Sequence, residues 1–90
     1  MDLQRLLDDS NRAGVEFLIV DLDTAHAILD GADAYTQPDH IKQARQHARS
    51  AYDTIVRLMP RVRLDEAQGA MIEKKLARLR SRLEAAGERF

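Results

Sequence analysis

The stretch that decides the fold is VEFLIVDLDTAHAILDGA, residues 15–32. Its main apolar residues recur in alternating steps of three and four, which places them on one side of an α-helix. They are Val15, Leu18, Leu22, Ala25, Leu29 and Ala32. The stretch therefore predicts a long amphipathic helix whose apolar side packs against other helices.

We expect this first helix to span about residues 12–34. Residues 1–11, which contain three leucines, either continue the helix backwards or form a short separate helix. Gly14 is the weak point, because glycine costs about 1 kcal/mol relative to alanine inside a helix. We therefore expect residues 1–11 to form an N-terminal extension to the bundle that follows.

Two prolines mark the limits of a second helix over about residues 38–59. Pro38 suits a first helical turn, and Pro60 ends the helix because it lacks an amide proton and clashes with the preceding turn. The apolar residues between them again follow steps of three and four. They are Ile41, Ala44, Ala48, Ala51, Ile55 and Leu58. The alanines allow a neighbouring helix to approach closely.

A third helix is expected over about residues 65–86. Asp65 can cap its start, Glu66 in the first turn favours the helix dipole, and Gly87 is well placed to end it. Its apolar line runs through Met71 or Ile72 and then Leu76, Leu79, Leu83 and Ala86. Three helices with short connections predict an all-α fold, an up-down-up antiparallel bundle of residues 12–90.

The composition is typical of one small globular domain. The chain has 90 residues, of which 44% are hydrophobic and 32% charged, and it contains no cysteine. Its longest strongly apolar run, residues 17–20, is far shorter than the roughly 20 residues that span a bilayer. We expect a soluble cytoplasmic protein without a membrane segment, a disulfide or a thiolate metal site.

The net charge of -1 conceals an asymmetry between the two halves of the sequence. Residues 1–40 carry a net charge of -7 and residues 41–90 a net charge of +6. In a folded bundle these halves attract each other. The alternative is a basic surface that meets an acidic partner.

The segment ARSAYDTIVRLMP, residues 48–60, resembles the second helix of a tetratricopeptide repeat. A small residue, Ala48, is followed by the aromatic Tyr52 four residues later and by Pro60 eight residues after that. The similarity covers 13 residues, and the chain shows no 34-residue period. The resemblance implies helical-hairpin geometry alone. Together with the charged third helix, the segment is also similar to small uncharacterised bacterial helical proteins, a similarity that implies no activity.

The chain contains three histidines, which are candidate metal ligands or catalytic groups. Asp23 and His26 have the three-residue spacing with which a carboxylate and an imidazole share a metal in helical bundles, but a second such pair is missing. His40 and His47 lie two helical turns apart, too far to bind one ion together. No serine or threonine stands in a strained turn beside a base, and no glycine-rich phosphate loop occurs. We expect no enzyme activity, no metal and no cofactor.

The basic residues at the end of the second helix and in the third helix offer one alternative function. Helix 3 could lie along a phosphate backbone, which makes a small nucleic-acid-associated protein the second hypothesis. The residues concerned are Arg57, Arg61, Arg63, Lys74 and Arg78. No aromatic residue alternates with them to stack on bases, and the bases of the third helix flank both sides of its leucine line. Nucleic-acid binding is therefore the less favoured hypothesis.

The favoured hypothesis is a non-enzymatic domain that associates with itself, as a homodimer, or with another helical protein. Apolar residues of the first helix extend further around it than one packing side requires, so one apolar edge is expected to stay exposed unless residues 1–11 cover it. Large aliphatic and aromatic side chains dominate interface energies. The predicted interface residues are Phe17, Ile19, Ile28, Tyr35 and Tyr52.

Overall fold

The computed structural model describes residues 2–32, 34 and 37–90, and this part of the chain folds into three α-helices. Helix α1 spans Leu3–Ala32, α2 spans Pro38–Leu58 and α3 spans Glu66–Ala85. A short 3-10 helix, Met59–Arg61, follows α2 and contains Pro60. The predicted all-α three-helix bundle is confirmed.

Contacts between the helices establish the up-down-up order. Asp23 and Asp30 of α1 form ion pairs with Lys75 and Arg82 of α3. Because both pairs join residues the same distance apart in sequence, α1 and α3 run in the same direction. The start of α2 lies beside the end of α3, where Arg45 donates to the Ala86 carbonyl at 2.9 Å. Helix α2 is therefore antiparallel to both neighbours.

Helix α1 begins at Leu3, nine residues before the expected start at about residue 12. The carboxylate of Asp2 accepts a hydrogen bond from the Gln4 amide at 3.0 Å, which satisfies one of the free amides of the first turn. Residues 3–11 therefore belong to the first helix and are not a separate element. At 30 residues, α1 is about 45 Å long. The length of α1 is thus most of the longest dimension of the molecule, which measures 53 Å by 22 Å by 18 Å.

The core lies where the apolar sides of the three helices meet. Its largest fully buried side chains are Leu18, Leu22, Ile55, Ile72, Leu79 and Leu83. Ala25 and Ala48 are buried with them, which allows α1 and α2 to approach closely. All twelve buried residues among the described ones are hydrophobic.

Asn11 of α1 holds the connector that joins α2 to α3. Its side-chain oxygen accepts from the Arg63 amide at 2.6 Å, and its side-chain nitrogen donates to the Arg63 carbonyl at 2.9 Å. The connector thereby crosses α1 near residue 11. The first two turns of α1 extend beyond it, and Leu3, Leu6 and Leu7 are exposed there.

The end of α3 follows the expectation for Gly87. This residue has a φ of 103°, the left-handed conformation that glycine adopts readily. The Glu88 amide donates to the Leu83 carbonyl at 2.9 Å, and the Gly87 amide donates to the Glu84 carbonyl at 3.0 Å. This Schellman pattern turns the chain back toward α2.

No helix in residues 2–32 and 37–90 is long and apolar enough to cross a membrane.

Candidate interaction surface

Helix α1 carries a second line of uncharged residues on the side that faces away from the core. We call this line the outer stripe. Its nine members follow steps of three and four over the whole helix: Leu3, Leu6, Ser10, Ala13, Phe17, Val20, Thr24, Ala27 and Gly31. The helix contains eight charged residues, and none of them falls on this line. The pattern is that of a heptad repeat beside the one that forms the core.

Every member of the outer stripe is exposed to solvent. Phe17 is 49% exposed, Val20 63% and Leu3 70%. The large apolar members stand in two exposed pairs, Leu3 with Leu6 and Phe17 with Val20, and small or hydroxyl-bearing residues lie between and beyond them.

A groove between α1 and α2 adjoins the outer stripe at Phe17 and Thr24. On the α1 side Ile28 also contributes, and α2 contributes His47 and Thr54. The single carboxylate in its lining is Asp21, and partial burial raises the pKa of this group above its usual value.

The structure brings together two of the five predicted interface residues. Phe17 and Ile28 lie in the same groove, at the border of the outer stripe. Ile19 is partly buried against the core. Tyr52 is also packed against the core, and its ring meets the ring of Phe90 edge-on with centroids 4.8 Å apart. Tyr35 lies outside the described residues.

The N-terminal leucines do not cover Phe17. Because α1 is one continuous helix, Leu3 and Phe17 are separated by about 20 Å along its axis. The exposed apolar edge that the sequence indicates on the first helix is therefore present. Its large apolar members are Phe17 and Val20, whereas Ile19 is partly buried against the core.

The pair Asp23 and His26 is engaged with α3. Asp23 accepts from the Lys75 ammonium group at 2.7 Å. The Nε2 atom of His26 donates to the Lys75 carbonyl at 3.1 Å, while Nδ1 accepts from the Arg82 guanidinium at 3.0 Å. A carbonyl only accepts and a guanidinium only donates, so the ring is the neutral Nε2–H tautomer. Both ring nitrogens are thus used in holding α1 to α3.

His47 lines the α1–α2 groove together with Asp21 and Ser50, whereas His40 lines a neighbouring depression between the same helices. An acid, a base and a hydroxyl therefore line one depression. No hydrogen bond joins Asp21, His47 and Ser50 to one another in the described part of the chain, and the groove is open to solvent. A nucleophile activated by a base needs such a bond, at about 2.6–3.2 Å.

Of the five basic residues predicted to bind phosphate, one, Arg63, is paired with a carboxylate in the described part of the chain. Arg63 pairs with Asp8 at 3.1 Å, in addition to the pairs that Lys75 and Arg82 form with α1. All three pairs join the acidic half of the sequence to the basic half, as the charge asymmetry predicts. Arg61 lies beside the N-terminal half of α1, whereas Lys74 and Arg78 are exposed on α3 and Arg57 is in the last turn of α2.

The outer stripe contains residues that the sequence does not single out. Leu6, Ala13 and Val20 recur every seven residues, and Ser10, Thr24 and Gly31 share the spacing of Phe17. Serine, threonine and glycine do not contribute to an apolar repeat, so the periodicity of the apolar residues does not reveal them. The signal that reveals them is the absence of charge at nine related positions of a charged helix.

No protein-family model matches the chain, and comparison with curated proteins and with solved structures finds no significant match.

Proposed function

We propose that the protein is a non-enzymatic helical association domain that forms a homodimer through the outer stripe of α1. The observation that carries this proposal is the uncharged, solvent-exposed row of nine residues along a 30-residue helix. A second helix that packs on such a row removes its apolar side chains from water, which stabilises the pair.

The size of the surface suits a second copy of the chain. The outer stripe covers a strip about 45 Å long and about 10 Å wide, which is the width of one helix, and the groove widens it beside residues 17–28. The strip amounts to about 450 Å² on each copy, which is the size of a small, reversible interface. A row along one straight helix is also a surface that an identical helix can match.

The polar contacts favour association over the alternatives. His26, which stands three residues after Asp23, is used to join α1 to α3. Of the five bases that could bind phosphate, Arg63 is already paired with a carboxylate of the acidic half. We expect the protein to act in the cytoplasm, since its cysteine-free sequence fits a reducing compartment.

Sedimentation equilibrium over a wide concentration range tests the proposal. The unmodified chain should show a mass that rises from one copy to two copies. Phe17→Asp should weaken the dimer by about 30-fold or more, because loss of a central aromatic anchor costs about 2 kcal/mol or more. A monomer at every concentration, or a dimer that Phe17→Asp leaves unchanged, would contradict the proposal.

A further inference from the structure

The sizes of the side chains along the outer stripe change from one end of α1 to the other. Leu3 and Leu6 stand at the N-terminal end, while Ala27 and Gly31 stand at the C-terminal end. Phe17 and Val20 lie near the middle and are both exposed. The row is thus bulky at one end and small at the other.

From this gradient we infer that the two α1 helices of the dimer pack antiparallel, across a two-fold axis between Phe17 and Val20. This inference rests on the homodimer proposed above. A two-fold interface places residue i of one copy against residue j of the other and j against i. An antiparallel pair therefore matches the bulky end of each row with the small end of the other.

The register follows from the same matching. The contacts would be Leu6 with Gly31 of the second copy, Ser10 with Ala27, Ala13 with Thr24, and Phe17 with Val20. In each of the three outer layers a larger residue meets a smaller one, so none of them combines two bulky or two minimal side chains, and the bulk of Phe17 and Val20 lies at the two-fold axis. A parallel pair would instead place Leu6 against Leu6 and leave Gly31 facing Gly31 across a gap.

The residues beside the stripe define two further sets of contacts. On the side that faces α2, Leu7 would lie opposite Ile28 of the second copy, so that an exposed leucine gains an apolar neighbour. On the other side, acids would meet acids: Glu16 would approach Asp23 of the second copy, and Asp9 would approach Asp30. Asp23 and Asp30 are each paired with a base of α3 at 2.7 Å, which reduces this repulsion.

Disulfide cross-linking tests the orientation, because the chain contains no cysteine of its own. Leu6→Cys and Gly31→Cys are made as separate proteins, mixed in equal amounts and oxidised gently. Both positions are exposed on α1, and an added Cβ at Gly31 meets no atom within 4 Å. Mass spectrometry then separates the three covalent dimers. A disulfide requires Cα atoms about 4.4–6.8 Å apart, so only residues that face each other are joined efficiently.

The inference predicts that the mixed Leu6→Cys and Gly31→Cys product dominates. Met71→Cys, exposed on α3, is the control and should cross-link with neither protein. A dominant Leu6→Cys homodimer would show parallel packing and overturn the inference, as would the three products in random proportion. Absence of all products from a protein that still sediments as a dimer would overturn the register and orientation while leaving the proposed function intact. A protein that sediments only as a monomer would overturn both.

Discussion

Val62 lies directly against Gly14, with its Cγ1 atom 2.6 Å from the place where a Cβ at position 14 would stand. Val62 belongs to the connector between α2 and α3 and packs against the core. Glycine in the interior of α1 therefore has a packing role. The absence of a side chain lets the connector cross the helix.

Replacing Gly14 by alanine should destabilise the protein although alanine is the better helix former. The intrinsic gain is about 1 kcal/mol. Forcing a methyl group against a stiff valine typically costs about 1–3 kcal/mol. Urea denaturation should therefore show a lower free energy of unfolding for Gly14→Ala.

Gly69→Ala is the matched control for that experiment. A Cβ at Gly69 of α3 would lie 3.9 Å from the nearest atom, an ordinary contact, so this substitution should stabilise the protein by about 0.5–1 kcal/mol. Equal stabilisation by both substitutions would show that Val62 moves aside without cost.

Removal of the Asn11 side chain should loosen the same connector. Asn11→Ala eliminates both hydrogen bonds to Arg63, and each such bond contributes about 0.5–1.5 kcal/mol net. We expect a loss of about 1–2 kcal/mol in thermal or urea unfolding. Asn11→Asp keeps the acceptor but not the donor and should lose less. If Asn11→Ala unfolds like the unmodified chain, the packing of Val62 alone holds the connector.

The start of α3 depends on a reciprocal pair of hydrogen bonds. The Asp65 carboxylate accepts from the Gln68 amide at 2.7 Å, and the Gln68 side chain accepts from the Asp65 amide at 3.1 Å. Asp65→Ala should lower the free energy of unfolding by about 1 kcal/mol, whereas Asp65→Asn should retain most of it, since asparagine also caps well. A larger effect of Asp65→Asn than of Asp65→Ala would contradict this role for the side chain.

Asp21 makes a pH-dependent contribution to stability. Burial raises its pKa above 3.8 in the folded protein, so the folded state binds this proton more tightly than the unfolded chain does. The resulting stabilisation is present below 3.8 and is lost as the pH rises through the folded-state pKa. Asp21→Asn should therefore be more stable than the unmodified chain at pH 7, and this advantage should shrink as the pH falls toward 4. Asp9→Asn, exposed on the same helix, serves as the control. An advantage that is absent at pH 7, or constant with pH, would contradict the assignment.

Much of the fold is predictable from the sequence because local signals and core periodicity agree. Leu18, Leu22, Leu79 and Leu83 follow helical spacing and are fully buried. Gly87 ends α3 through its positive φ, as its position suggests. These features depend on neighbours within a few residues or on the repeat itself, which are visible in the sequence.

The features that the sequence does not reveal depend on distant contacts. The cost of Gly14 in a helix is readable, but its contact with Val62 joins residues 48 positions apart. Asn11 is an ordinary polar residue until the connector brings Arg63 to it. Phe17 was expected at the surface, whereas Ser10, Thr24 and Gly31 become part of that surface only when the orientation of α1 is known.

The central claim is that the outer stripe of α1 joins two copies of the chain, and a matched pair of variants tests it most directly. Val20 on the stripe and Val56 on α2 are both exposed valines within helices. Sedimentation equilibrium is used to compare Val20→Asp with Val56→Asp at the same series of concentrations. The account predicts a dimer for the unmodified chain and for Val56→Asp, and a monomer for Val20→Asp with its helical circular dichroism retained. A dimer that survives Val20→Asp, or that is lost equally in both variants, would contradict the account.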